Sequence, residues 1–173
     1  MSLQQISAAI RDVPDFPKKG ILFKDITPVL SDPVLLKEAI EVLASRHLKS
    51  RIDKVCCIEA RGFIFGTGVA MRLGAGIVPV RKKGKLPYQT IEASYSLEYG
   101  TATLQMHKDA IKKGERLLLV DDLLATGGTA AATAGLIEQL GGTIVEIEFL
   151  VELAFLKGRE KLSAYKVFAP LVF

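Results

Sequence analysis

Apolar residues fall in short runs along this chain, and the runs keep two different periods. Residues 54–59, 76–81, 117–121 and 144–151 are near-continuous apolar stretches rich in branched side chains, the pattern of strands buried on both faces. Between them, residues 33–48, 63–73 and 129–140 space their apolar positions at helical intervals. Pro33 after Ser31-Asp32 suits the first turn of a helix, and Gly141-Gly142 suits a C-terminal stop. Strands alternating with helices predict βαβ units, a mostly parallel sheet and an α/β fold. Residues 101–106 alternate as a half-exposed strand does, after a long polar stretch from 82 to 92. The loop 82–94 exceeds ordinary connection length, which in a compact domain points to a lid. Two tight proline-glycine segments, 14–20 and 25–28, precede the first strand and read as an irregular cover over the sheet. With no repeat, low-complexity tract or linker, a single domain over residues 1–173 is expected.

Composition narrows the class. The 173 residues are 49% hydrophobic and 24% charged, a balance normal for a globular protein with a sizeable core. No apolar run approaches the ~18 residues that span a bilayer, and the first residues lack the basic start and apolar stretch of a secretory signal. A cytoplasmic protein with no membrane partner is therefore expected. The adjacent Cys56 and Cys57 sit in an apolar run, where neighbours on a strand point to opposite faces, so they read as buried small hydrophobes rather than a disulfide or a zinc site. A net charge of +4 raises the question of nucleic acid, but the lysines are scattered rather than striped. The local concentration Arg81-Lys82-Lys83-Gly84-Lys85 is usual for a solvated loop and equally suits a small polyanionic ligand.

Candidate chemistry concentrates at residues 117–129, LLLVDDLLATGGT. An apolar strand ends in two acids, Asp121 and Asp122, at the carboxyl edge where open α/β sheets bind ligands. Small residues and a glycine pair follow, then a helix starts near Thr129. Glycines let successive N–H groups turn inward, and the helix N-terminus adds its dipole, which makes a phosphate cradle. The two carboxylates repel phosphate and suit ribose hydroxyls, or magnesium with its waters. A merely capped turn would need one polar residue, not two acids, two hydroxyls and a glycine pair. Neither a Walker loop nor a GxGxxG fingerprint is present, and Gly66-Thr67-Gly68, in a helical pattern, reads as close packing.

This segment closely resembles the phosphoribosyl-pyrophosphate loop of the type I phosphoribosyltransferases. Further segments resemble the adenine-specific branch of that family: FPKKGILFKDITP at 16–28, EARGFIFG at 59–66, RKKGKLP through ASYSLEYG at 81–100, and VELAFLKGREKL at 151–162. The resemblance runs from about residue 11 to the C-terminus in unbroken order. It implies the type I phosphoribosyltransferase fold: a mostly parallel five-stranded sheet flanked by helices, with a small N-terminal hood (about 1–33) and a flexible lid (about 82–94). It also implies a reaction in which adenine attacks the anomeric carbon of phosphoribosyl pyrophosphate, giving AMP and pyrophosphate in purine salvage. An oxocarbenium-like transition state asks for anions near the sugar and cations near the leaving group.

The family's residue roles follow by resemblance. Ala125, Thr126, Gly127, Gly128 and Thr129 hold the 5′-phosphate, and Asp121 and Asp122 engage the ribose hydroxyls. Ala60 and Arg61 form the pyrophosphate loop, where the family commonly holds a cis peptide, here between Glu59 and Ala60; Lys85 and Arg81 also meet the pyrophosphate, Arg81 in a neighbouring subunit of a homodimer. Taken alone, Arg61 could be an ordinary surface salt bridge. Phe23 stacks on adenine, the backbone at Leu22 and Lys24 reads the base edge, and Tyr99 helps close the site. Glu98 is the acid beside the imidazole side of the base and, with Arg61, the catalytic candidate. Magnesium is the implied cofactor, held mainly by substrate and water with no firm protein ligand. Alternatives are a transferase for hypoxanthine, guanine or xanthine, and a non-catalytic regulator that binds phosphoribosyl pyrophosphate. Of the two histidines, His47 ends a helical pattern and is expected to meet the helix dipole, and His107 is expected at the surface.

Overall fold

The computed structural model describes residues 3–16, 18–96 and 101–173. The chain divides into two compact units, Met1–Val42 and Leu43–Phe173.

The first unit is more regular than the proline-glycine spacing suggests. It holds helix α1 (Leu3–Ala9), strands β1 (Arg11–Pro14) and β2 (Leu22–Asp25), helix α2 (Thr27–Ser31) and most of helix α3 (Pro33–Ala44). β1 and β2 form an antiparallel hairpin with Val13 opposite Phe23, which replaces the expected irregular segment. The turn is set by Asp15, whose carboxylate accepts the Gly20 amide at 2.7 Å, and by Gly20 at φ +90°. Its strands are four residues each, too short to show alternation. Asp32 caps α3 as its place before Pro33 predicts, accepting from the amides of Val34 and Leu35 at 2.8 and 3.0 Å.

The second unit carries the alternating pattern almost as read. Its strands are β3 (Lys54–Ile58), β4 (Gly76–Lys82), β5 (Thr90–Ser96), β6 (Thr101–His107), β7 (Arg116–Leu124), β8 (Thr143–Glu152), β9 (Val167–Phe168) and β10 (Leu171–Val172), with helices α4 (Arg61–Leu73) and α5 (Gly128–Gln139). The eight-stranded sheet follows the order β10-β8-β7-β3-β4-β6-β5, with β9 beside β8. The strands from β10 to β4 run parallel; β6 joins β4 antiparallel and folds back on β5. The expected loop 82–94 is therefore loop only up to Gln89. From Thr90 onward it is strand, because Ile91, Ala93 and Tyr95 place alternate side chains against the core.

Helices cover both faces of β3, and the paired cysteines show it. Cys56 belongs to the cluster that packs Val78, Leu119 and Phe149 against Ala130, Ala134 and Ile137 of α5. Cys57 faces the other way, onto Gly66 of α4, where a Cβ would collide with its sulfur. Both thiols are free and buried, as expected, and Gly66 is the close-packing glycine that its helical setting suggested. Burial, with the nearby Asp121 carboxylate, pushes the Cys57 thiol up to about 12.

Candidate functional site

Because β3 and β7 are parallel neighbours, the loops after them open on the same edge of the sheet. There a cavity of about 380 Å³ is lined by Glu59, Ala60 and Arg61 after β3, Lys82 and Tyr95 from the neighbouring strands, and Asp121, Asp122, Ala125 and Thr129 around the end of β7. A smaller hollow of about 70 Å³ follows the loop itself, along Ala125, Thr126, Gly127 and Thr129.

The loop's shape comes from its glycines. Gly127 precedes α5 with φ +76°, a conformation L side chains avoid, and it caps the helix without any side-chain hydrogen bond. Its backbone lies against Gly158, in the segment after β8: a Cβ on Gly127 would strike the Gly158 carbonyl, and one on Gly158 would strike the Ala125 carbonyl. The first turn of α5, whose amides meet no side-chain cap, borders the hollow, the arrangement that suits an anion. The Thr129 hydroxyl donates to the Tyr95 hydroxyl at 3.0 Å, tying β5 to this corner.

The acids at the lip are not equivalent. Asp122 is buried and accepts from Arg61 Nε, so a cation from the loop after β3 meets an acid of β7. Asp121 accepts the Asp122 amide through Oδ1 at 2.9 Å, and Gly62 of α4 comes so close that a Cβ would lie 2.8 Å from that oxygen. Burial, reinforced by the Asp122 carboxylate, holds the Asp121 carboxyl well above the usual range. The Glu59–Ala60 peptide is cis, where the resemblance places it.

Glu59 gathers the basic segment. Its carboxylate accepts from Arg81 Nε at 2.9 Å and from the Lys82 amide at 3.2 Å, and it pairs with Lys85 Nζ at 3.2 Å. Arg61, Arg81, Lys85, Asp121, Asp122, Ala60 and the loop 125–129 are thus brought to one sheet edge. Leu22, Phe23 and Lys24 lie on β2 of the first unit, where Val13, Phe16, Phe23 and Asp25 line a shallow apolar cleft. Phe23 packs edge-to-face on Phe16 with ring centroids 5.1 Å apart, and Lys24 Nζ pairs with Asp12 at 2.6 Å. Glu98 and Tyr99 lie outside the described residues.

Three residues of the site carry no role in the sequence reading: Glu59, Tyr95 and Gly158. All three stand inside segments that match the family, but their parts depend on strand pairings or on contacts far along the chain. One of the histidines has partners the sequence does not show. His47 stands in the last turn of the short helix after α3 and is buried, with Nε2 at 2.9 Å from Glu148 and 3.1 Å from Glu146, while Arg46 pairs with Glu146 at 2.9 Å. Two buried carboxylates on β8 demand cations, and the short helical turn Ser45–His47 after α3 supplies them. His107 accepts from the Tyr88 amide at 3.4 Å, next to the loop between β4 and β5.

Comparison with known proteins agrees with this geometry. A model of the phosphoribosyl transferase domain matches residues 27–170. The adenine phosphoribosyltransferase of Geotalea daltonii is 56% identical over 171 residues, covering 99% of this chain and all of its own. The crystal structure of adenine phosphoribosyltransferase from Thermoanaerobacter pseudethanolicus superposes with a TM-score of 0.95 at 53% identity, covering 99% of this chain and 100% of that one. The Saccharomyces cerevisiae enzyme, solved with adenine and an imino-altritol bisphosphate, gives a TM-score of 0.91 at 42% identity over 96% of this chain and 97% of its own. The chain belongs to the phosphoribosyltransferase family and, within it, to the adenine phosphoribosyltransferases.

Proposed function

We infer that this chain transfers the 5-phosphoribosyl group from phosphoribosyl pyrophosphate to adenine, releasing AMP and pyrophosphate in purine salvage. The observation that carries this inference is the single sheet edge on which the loop after β7, Asp121, Asp122 and the cations Arg61 and Lys82 line one cavity.

In this reading the 5′-phosphate takes the amides of Ala125, Thr126, Gly127, Gly128 and Thr129, and the ribose hydroxyls meet Asp121 and Asp122. As the glycosidic bond to pyrophosphate lengthens, positive charge grows on the sugar beside these acids. Negative charge grows on the leaving group toward Ala60, Arg61, Arg81 and Lys85. Arg61 offers a bidentate fork to the pyrophosphate and in exchange gives up Asp122, which becomes available to the sugar. Glu98 manages the proton at the imidazole side of adenine, with Tyr99 beside it. Phe23 stacks on the base, and the backbone at Leu22 and Lys24 reads its edge. A carbonyl there accepts from the exocyclic amine of adenine, whereas an oxopurine would set two acceptors against each other.

Magnesium, the cofactor the family implies, finds no cage in this donor set. Asp121 and Asp122 face the ribose in this arrangement, and burial with the Asp122 carboxylate raises the Asp121 carboxyl above its ordinary range, so neither acid is a firm ligand. The residues fit a metal carried on the pyrophosphate and on water, so the steps above run through the protein groups alone. No helix among the described residues is long and apolar enough to cross a membrane. The reading takes the protein as a cytoplasmic homodimer and residues 1–173 as one catalytic domain.

The test is competition among equal concentrations of adenine, guanine, hypoxanthine and xanthine, with phosphoribosyl pyrophosphate and magnesium. AMP as the dominant product is expected. IMP, GMP or XMP as the main product would refute the adenine assignment, and no product at all would point to a binding protein.

A further inference from the structure

A carboxylate stands where an anion is meant to bind. Glu59 lines the same cavity as Ala60 and Arg61, and its side chain is only 8% exposed. It cannot hold pyrophosphate itself, because like charges repel at close range. Nor is it free to serve as a general base, since three donors already converge on it.

Those donors come from one short stretch. Oε2 takes Arg81 Nε at 2.9 Å and the Lys82 amide at 3.2 Å, while Oε1 takes Lys85 Nζ at 3.2 Å. The same stretch is laced to itself, with Arg81 Nη1 donating to the Lys85 carbonyl at 3.1 Å and the Lys85 amide donating to the Lys82 carbonyl at 3.3 Å. Burial alone would push the Glu59 carboxyl up, but Lys85, Arg81 and the Lys82 amide outweigh it and hold it ionised. Arg81 and Lys82 close β4, the strand paired beside β3. The carboxylate therefore fixes where the first turn after β4 leaves the sheet. Long cationic side chains lose much rotamer freedom when they must grip a ligand, and a buried anion that orders them beforehand reduces that loss.

We propose that Glu59 is the positioning residue for the cations that meet pyrophosphate, orienting Lys85 toward the leaving group of its own site and Arg81 toward that of the neighbouring subunit, without touching either. The proposal rests on the assignment of Arg81 and Lys85 to pyrophosphate. It also fixes a sign: if Glu59 orders the cations, removing its charge weakens pyrophosphate binding, whereas if it merely competes for them, removing its charge strengthens it.

The experiment measures dissociation constants of pyrophosphate and of ribose 5-phosphate, with kcat and KM for phosphoribosyl pyrophosphate, in Glu59→Gln, Lys85→Ala, Arg81→Ala and the Glu59→Gln/Lys85→Ala double variant. Glu59→Gln is expected to weaken pyrophosphate about tenfold, the scale of one charge-assisted hydrogen bond, and to leave ribose 5-phosphate unchanged. In the double variant the two losses are expected to be less than additive, because they act through one contact. Tighter pyrophosphate binding in Glu59→Gln, unchanged binding, or an equal loss for both ligands overturns the proposal. If Lys85→Ala and Arg81→Ala also leave pyrophosphate affinity unchanged, the assignment of those cations fails as well, so the two failures are distinguishable.

Discussion

The guanidinium of Arg61 donates to the carboxylate of Asp122, so the first residue of α4 is tied to the end of β7. The pair is lopsided, with 49% of the Arg61 side chain exposed and 6% of the Asp122 side chain. The acid has left water and the cation has not, so the charge that needs compensation is that of Asp122.

Arg61→Ala should therefore cost stability as well as activity. Withdrawing this partner from a buried carboxylate is expected to lower the unfolding free energy by about 1–3 kcal/mol. Urea denaturation without substrates checks it, with Asp122→Asn/Arg61→Ala expected to recover part of the loss. In kinetics, Arg61→Ala is expected to raise KM for phosphoribosyl pyrophosphate and lower kcat together. An unchanged urea midpoint would mean that the pair contributes nothing to folding.

Glu98→Leu separates a proton-handling role from a structural one. Turnover should fall by roughly 10²–10⁴-fold, the usual range for a lost general acid or base. Phosphoribosyl pyrophosphate affinity, measured by titration calorimetry, should change little. Equal losses in both would make Glu98 a scaffold residue.

Gly127→Ala tests the cradle. The left-handed backbone and the collision with Gly158 both oppose a methyl group, whereas Gly114 has a similar φ of +85° and open space around it. Both alanine variants pay the backbone term of about 1 kcal/mol. Only Gly127→Ala should add a packing cost and weaken ribose 5-phosphate. Identical unfolding midpoints for the two variants would show that the contact with Gly158 is soft.

The buried His47, Glu146 and Glu148, with Arg46 at their rim, predict a pH dependence away from the site. The hydrogen bond to Glu148 holds the His47 imidazolium above its ordinary 6.5, and burial raises Glu148 above its ordinary 4.5. A group that binds its proton more tightly when folded contributes stability in full below its unfolded value and loses it as pH rises through its folded value. Both shifts thus act in the same direction, Glu148 from pH 4.5 upward and His47 from pH 6.5 upward. Unfolding free energy should fall above pH 6.5, with a slope of at most about 1.4 kcal/mol per pH unit for one proton. His47→Gln should flatten that slope. A flat wild-type profile across this range would refute the protonated network.

Cys56 and Cys57 should resist iodoacetamide in the native protein and react once urea unfolds it. Their thiols are buried, and Cys57 is held near 12, far from forming the reactive thiolate at neutral pH. Rapid native alkylation, followed by mass spectrometry, would contradict the packing of Cys57 on Gly66.

The parts of the fold legible in the sequence are those whose signal is local. β3 and β7 are buried on both faces, so they appear as unbroken apolar runs, and the glycine pair after Asp121-Asp122 marks the corner without reference to anything distant. What escaped depends on partners. The β1–β2 hairpin has strands too short for periodicity. His47 was read from its own helix, although Glu148, its hydrogen-bond partner, lies 101 positions away. Glu59 resembles any loop acid until β4 is laid beside β3 and brings Arg81, Lys82 and Lys85 within reach. The alternation of Ile91, Ala93 and Tyr95 was present in the chain, but the charged residues before it made the whole stretch resemble a loop.

The contact between Gly127 and Gly158 has a further consequence for how the protein comes into being. A loop whose form depends on a segment near the end of the chain is unfinished until that segment has been made. During synthesis the sheet edge and α5 can emerge and pack, yet the cradle takes its final curvature only when Gly158 arrives beneath it. Sugar-phosphate affinity is then expected to depend on that segment: a chain cut before Gly158 would keep β3, β7 and α5 and lack the backbone contact that shapes the loop.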